Sequence, residues 1–231
     1  MKSILLDIEG TTTPIEFVRD VLFPYARKKI AGYVATNFES LSTELEQLAV
    51  EHEKDLGYTD HFDSASAKSV AKYLAFLIDA DRKSTPLKSI QGEIWKEGYE
   101  SGDLESVVFD DVPRAFERWK ESGVTIAIFS SGSVLAQQLI FQYTNHGDLT
   151  RFITSYFDTN IGPKRDPKSY AAIAAELNIL PAEILFVSDI VAELDAGREA
   201  GLSTALALRP GNAPIGTDVS HRVLDSFEGP G

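Results

Sequence analysis

The chain has 231 residues, 43% hydrophobic and 25% charged, with a formal net charge of −13 at pH 7. That balance is ordinary for a globular enzyme able to bury a sizeable core, while the acidity works against nucleic acid and anionic membranes as partners. With no cysteine in the sequence, disulfides, thiolate catalysis and cysteine-bound zinc or iron–sulfur centres are excluded.

The first predicted element is a buried strand, Ile4-Leu5-Leu6, an apolar run without helical period. It stops at Asp7-Ile8-Glu9-Gly10, followed by three threonines and Pro14. A lone pair of acids two residues apart is most simply a solvated strand end. Directly after a buried strand, however, ionised carboxylates are costly unless a cation or hydrogen bonds compensate them. Gly10 permits a tight departure of the backbone, and the threonines offer hydroxyls and amides to an anion. The stretch reads as a catalytic nucleophile, Asp7, with a partner acid, Glu9.

From about Phe17 to Gly102 the pattern turns helical. Leu45, Leu48 and Ala49, then Val70, Leu74, Leu77 and Ile78, recur at spacings of three and four. Asp63-Ser64 is a candidate start for the helix with the second set, and Leu87 to Tyr99 reads as a further helix. This region is expected to be a helical insert, giving a core of residues 1–16 and 103–231 and a cap of residues 17–102.

Beyond the insert, helix and strand alternate. A helix over Val112–Glu121, with Pro113 suited to its first turn, ends at Ser122-Gly123. Val124–Phe129 is a strand that closes on Ser130-Ser131-Gly132-Ser133 before another helix. Phe152–Phe157, Ile184–Val187 and Ser203–Leu208 are further strands, and Asp166-Pro167 caps the helix that runs through Leu177. Pro210–Gly216 reads as a loop, and the tail ends in Gly-Pro-Gly. Such alternation predicts an α/β fold, a doubly wound parallel sheet with right-handed crossovers, whose ligands bind beyond the carboxyl ends of the strands.

Four polar clusters fall at that edge. Ser130 and Ser131 bring hydroxyls, amides and a helix N-terminus suited to phosphate, although Ser-Gly loops also serve as plain caps. Lys164 can neutralise a phosphoryl group, where the commoner fate of a loop lysine is the surface. Asp189 is a second carboxylate at a buried strand end. Glu193, one turn later, either orients groups around a metal or is an ordinary first-turn acid. His52, His61, His146 and His221 are scattered without metal-ligand spacing, so surface or structural roles are expected. Apolar runs too short for a bilayer and a start without a basic-then-apolar leader lead to a cytoplasmic expectation, nuclear also in a eukaryote.

The acid–hydroxyl–lysine–acid order resembles the four motifs of the haloacid dehalogenase superfamily. Asp7-Ile-Glu-Gly-Thr-Thr-Thr-Pro-Ile-Glu-Phe-Val18, Leu87-Lys-Ser-Ile-Gln-Gly-Glu-Ile-Trp95, Phe129-Ser-Ser-Gly-Ser133, Phe157-Asp-Thr-Asn-Ile-Gly-Pro-Lys164 and Leu208-Arg-Pro-Gly-Asn212 resemble its enolase-phosphatase branch in particular. The usual second acid of the first motif is Asp, and here it is Glu9. The resemblance implies that Asp7 forms an aspartyl-phosphate and that Glu9 is the acid/base. Mg²⁺ would be held by the side chains of Asp7 and Asp189 and the carbonyl of Glu9, with Ser130, Ser131 and Lys164 on the phosphoryl oxygens. It further implies a small-molecule phosphoester, 2,3-diketo-5-methylthiopentyl-1-phosphate, enolised and then dephosphorylated by a monomer whose cap offers Gln91 and Trp95 to the substrate. Two alternatives stay open: a superfamily phosphatase for another small phosphoester, and a phosphate-binding regulatory module without turnover.

Overall fold

The computed structural model describes residues 1–214 and 220–228. The end of the predicted Pro210–Gly216 loop and the Gly-Pro-Gly tail lie outside them. The chain divides into two compact units, one of Met1–Val18 with Glu105–Gly231 and one of Arg19–Leu104.

The first unit is built on a six-stranded sheet, β1 (Ser3–Leu6), β2 (Thr125–Phe129), β3 (Ile153–Phe157), β4 (Ile184–Ser188), β5 (Ser203–Ala207) and β6 (Arg222–Leu224), in the order β3-β2-β1-β4-β5-β6. Every pairing is parallel. Register puts Leu6 of β1 beside Ile128 of β2 and Val187 of β4, so three strands end together. The chain moves one way from β1 through β2 to β3 and the other way from β4 to β6. The reversal lies between β1 and β4, where a ligand crevice opens beyond the strand ends. All four residues of β1 are buried, which is why it reads as an unbroken apolar run. The helices of this unit include α6 (Asp111–Glu121), which packs on β2, α7 (Val134–Gln142), which packs on β3, α8 (Pro167–Leu177), and α9 (Val191–Glu199), which packs on α8, β4 and β5. Leu5, Phe129, Tyr170, Ile173, Phe186, Leu194 and Leu206 share one buried cluster.

The first unit also holds the short helix α1 (Ile15–Phe17), which runs on into the π-helical stretch Val18–Leu22; the second unit, from Arg19, holds the helices α2 (Phe23–Asn37), α3 (Ser42–His52), α4 (Ala67–Asp79) and α5 (Thr85–Glu100). The first of these four packs on the third and fourth, and the second on the fourth. Their core includes Ile30, Leu48, Leu74 and Ile94, with Tyr58, Phe62 and Tyr73 meeting around His52 and Phe76 packed against Tyr58 and Tyr73. Among the described residues no helix is long and apolar enough to cross a membrane.

Two details differ from the sequence reading. The helix over Ala67–Asp79 starts after Ser66, whose hydroxyl accepts from the amide of Ser69, rather than at Asp63-Ser64. Asp63 instead closes its own turn by accepting from Ala65 N at 2.9 Å, a competing use of the same capping chemistry. The sixth strand, Arg222–Leu224, was not anticipated. Its three residues, Arg-Val-Leu, are exposed or half-buried, and so short an apolar pair does not stand out as a strand until β5 offers it an edge.

Candidate active site

Asp7 leaves β1 with its amide donating to Val187 O at 3.0 Å, which ties the site to β4. The residue is only 5% exposed, and its carboxylate is densely contacted. Oδ1 accepts from the amide of Ile8 at 2.8 Å and lies 2.8 Å from Lys164 Nζ. Oδ2 faces Ser188 Oγ at 3.2 Å. Ser188 Oγ also lies 3.1 Å from Glu193 Oε2 and accepts from Ile190 N at 3.1 Å. With one hydroxyl proton, Ser188 can donate to only one of the two acids at a time.

Lys164 is the counter-charge. Its ammonium sits 2.7 Å from Glu193 Oε2 as well as against Asp7, with a side chain only 9% exposed. Burial pushes its pKa down, but Asp7 and Glu193 outweigh burial and hold it above the ordinary lysine value. The loop before α8 is fastened from the helix: Ser169 Oγ donates to Pro163 O at 2.7 Å and Tyr170 O–H to Lys164 O at 2.6 Å.

Asp189 follows β4 as Asp7 follows β1. Burial first, then the charge of Asp7, pushes its carboxyl up to about 7, with Lys164 opposing. Burial and Asp7 likewise raise Glu193. Gly10 makes the approach of these loops possible. Its φ is +63°, and a Cβ there would stand 2.6 Å from Asp189 Oδ2 and 2.7 Å from Asn212 Oδ1, so any side chain would be expelled.

The predicted residues therefore fall into two groups. Asp7, Lys164 and Glu193 are in direct contact, with Asp189 coupled to them through charge. Glu9 and Ser131 are exposed at the same strand edge, while Ser130 is buried and its hydroxyl accepts from Gly132 N at 3.2 Å. Sequence reasoning missed Ser188, Tyr170 and Gln137. The last is fully buried on α7 and its amide nitrogen holds Gly132 O at 2.9 Å and Phe157 O at 2.8 Å, fixing the serine loop to the end of β3. Only the spacing of Tyr170 and Gln137 after a cap could have flagged them, and that spacing is shared by any core-facing helical residue.

One ammonium against a buried carboxylate, Asp7, and two half-buried ones, Asp189 and Glu193, leaves the pocket short of positive charge, and the nearby donors are hard oxygens. Among the described residues no three His, Cys, Asp or Glu side chains converge as a ready-made cage. Two carboxylates and a main-chain carbonyl suit a magnesium ion, which keeps waters and takes substrate phosphate as a ligand.

A model of haloacid dehalogenase-like hydrolases matches residues 1–201. Over 217 residues the chain is 51% identical to enolase-phosphatase E1 of Synechococcus elongatus, covering 92% of this chain and 91% of that one. It is 46% identical over 227 residues to enolase-phosphatase E1 of Sorangium cellulosum, covering 98% and 96%. The chain belongs to the haloacid dehalogenase-like hydrolases, in the enolase-phosphatase E1 family. The crystal structure of UTR4 protein from Saccharomyces cerevisiae superposes with a TM-score of 0.81 at 35% identity, over 98% of both chains. Membership in the family makes the chain a hydrolase.

Proposed function

We propose that this protein is a magnesium-dependent enolase-phosphatase of methionine salvage. It enolises 2,3-diketo-5-methylthiopentyl-1-phosphate and then removes phosphate to leave the acireductone 1,2-dihydroxy-3-keto-5-methylthiopentene. The observation that carries the reading is the Asp7 carboxylate gripped at 2.8 Å by a buried lysine at the sheet's switch point, in a chain of this family.

In the dephosphorylation step the Asp7 carboxylate attacks phosphorus, forming an O–P bond as the bond to the substrate oxygen breaks. Glu9 gives that oxygen its proton. The same residue, now a carboxylate, takes a proton from the water that attacks the aspartyl-phosphate, and Asp7 is regenerated with release of phosphate. Exposure of Glu9 to solvent suits this exchange. Lys164, Ser130 and Ser131 hold the phosphoryl oxygens as their charge redistributes. Asp7, Asp189 and the Glu9 carbonyl would hold magnesium, which would supply further positive charge beside those oxygens and a Lewis acid for a substrate carbonyl.

Residues 1–16 and 103–231 form the catalytic core in this reading, and residues 17–102 a cap that excludes water and contacts the substrate. Of the cap candidates, Gln91 is buried with its amide nitrogen unpartnered. Trp95 already gives its indole N–H to Leu22 O at 2.9 Å, which leaves it only a ring face to offer. A monomer in the cytoplasm completes the proposal. The test is mass spectrometry of the product formed from the diketo phosphate with magnesium, and again with EDTA. Acireductone and free phosphate are expected in the first case and neither in the second. Unchanged substrate with magnesium, or undiminished turnover after chelation, overturns the substrate or the metal assignment respectively.

A further inference from the structure

The loop after Asp7 is satisfied from two sides. On the inside, Ile8 O accepts the amides of Thr11, Thr12 and Thr13 at 3.2, 2.9 and 2.9 Å, and Thr13 O accepts Gly10 N at 2.8 Å. The carbonyls of Gly10, Thr11 and Thr12 are each met by a donor from far along the chain. Asn212 Nδ2 donates to Gly10 O at 2.9 Å and also to Ala207 O at the end of β5, at 3.2 Å. Arg209 Nε donates to Thr11 O at 3.0 Å. The amide of Phe109 donates to Thr12 O at 3.0 Å. Thr11, Thr12 and Thr13 are fully buried, so water cannot stand in for these donors, and a buried carbonyl left without one is costly.

The donors are themselves held. Arg209 is 6% exposed, with its guanidinium 4.7 Å from the ring centre of Phe109 and 4.4 Å from that of Phe227. Its Nη1 reaches Asp111 Oδ2 at 2.8 Å and Asp225 O at 3.2 Å. The planar fork lets Nε address a main-chain carbonyl while Nη1 grips a carboxylate, which the single ammonium of lysine cannot reproduce. At Gly211 φ is +87° and a Cβ would run into the carboxylate of Glu16, so the bend that brings Asn212 to Gly10 requires glycine.

We infer that Arg209 and Asn212 are positioning residues of this site: their turn is the template on which the nucleophile loop is laid, and so sets where Glu9 stands relative to Asp7. The inference rests on the phosphatase reading for its kinetic consequence, but not for the loop geometry. A purely structural role would lower stability and leave the folded enzyme's turnover alone. Displacement of the loop lowers turnover in the folded protein, because misplacement of a reacting group by about 1 Å can cost about a hundredfold.

The test compares full-length Asn212→Ala and Arg209→Lys with the parent on p-nitrophenyl phosphate and magnesium, together with thermal melting and hydrogen–deuterium exchange. Asn212→Ala truncates the side chain of a half-buried residue and Arg209→Lys retains a cation for Asp111, so both are expected to fold. Each should lower kcat by about tenfold or more while KM stays within about threefold. Exchange should rise over Ile8–Thr13 while β1 stays protected. Folded variants with parental kcat and parental exchange overturn the inference, as does a loss of kcat that only tracks the unfolded fraction. Should the parent hydrolyse no phosphoester, the phosphatase reading falls and the exchange measurement alone decides the loop assignment.

Discussion

At the scale of single residues, Lys164 carries two tasks that can be separated by measurement. It neutralises Asp7 and Glu193 in the resting site, and in the proposed reaction it holds phosphoryl charge. Lys164→Ala is expected to lose about 2–4 kcal/mol of transition-state stabilisation, the usual cost of one preorganised donor. Steady-state kcat/KM checks this, and a fall of less than about tenfold would confine Lys164 to the resting ion pair. Asp7→Asn keeps an oxygen for the amide of Ile8 but removes the attacking carboxylate. Phosphate release should vanish in that variant while enolisation of the diketone continues, seen as a rise in near-ultraviolet absorbance without free phosphate. Phosphate released at the parental rate would rule Asp7 out as the nucleophile.

Elements determine whether those residues are held still. The turn bearing Lys164 ends where Asp166 accepts from Lys168 N at 2.9 Å, a cap that the Asp-Pro pair announces in the sequence. The two further bolts, Ser169 and Tyr170, carry no such announcement, because a Tyr facing a core looks alike whether or not its hydroxyl is used. Tyr170→Phe keeps the ring against Phe129 and Phe186 and strips only the donor to Lys164 O. Stability should fall by about 1–3 kcal/mol, the cost of one unsatisfied buried acceptor. Turnover should fall in the same direction as for Lys164→Ala, but by less. Urea melts and kcat read side by side check this; an unchanged melt would mean that another donor, such as water, replaces the hydroxyl.

On the scale of the whole chain, the Arg209–Asp111 pair closes a tertiary contact across 98 positions. Burial pushes the Asp111 carboxyl up, but the hydrogen bonds from Arg209, the Phe227 amide and Ser226, with the Arg209 charge, outweigh it and hold the group below the ordinary carboxylate value. A depressed acid contributes stability that is present above the unfolded pKa and is lost as pH falls through the folded one. Asp111→Asn leaves the Arg209 charge buried without its partner, which costs about 3–5 kcal/mol near neutral pH. The gap between parent and variant should narrow once pH drops below about 4, where Asp111 begins to protonate in the unfolded chain. Urea melts across that range check it, and a gap constant down to pH of about 3 would show that charge is not what the contact supplies.

From the sequence by itself came the parallel α/β sheet, the order of the polar clusters and the identities of Asp7, Lys164, Asp189 and Glu193, because each sits next to a local signal: a buried run, a cap or a glycine. Which of them touch was settled by tertiary structure alone. Strand order brings β1 beside β4 and so Asp7 beside Ser188, and no local pattern encodes that adjacency. The same holds for Asn212 on Gly10 and Arg209 on Thr11. Their donors lie about 200 positions from the carbonyls they satisfy, and only the closed sheet makes them neighbours.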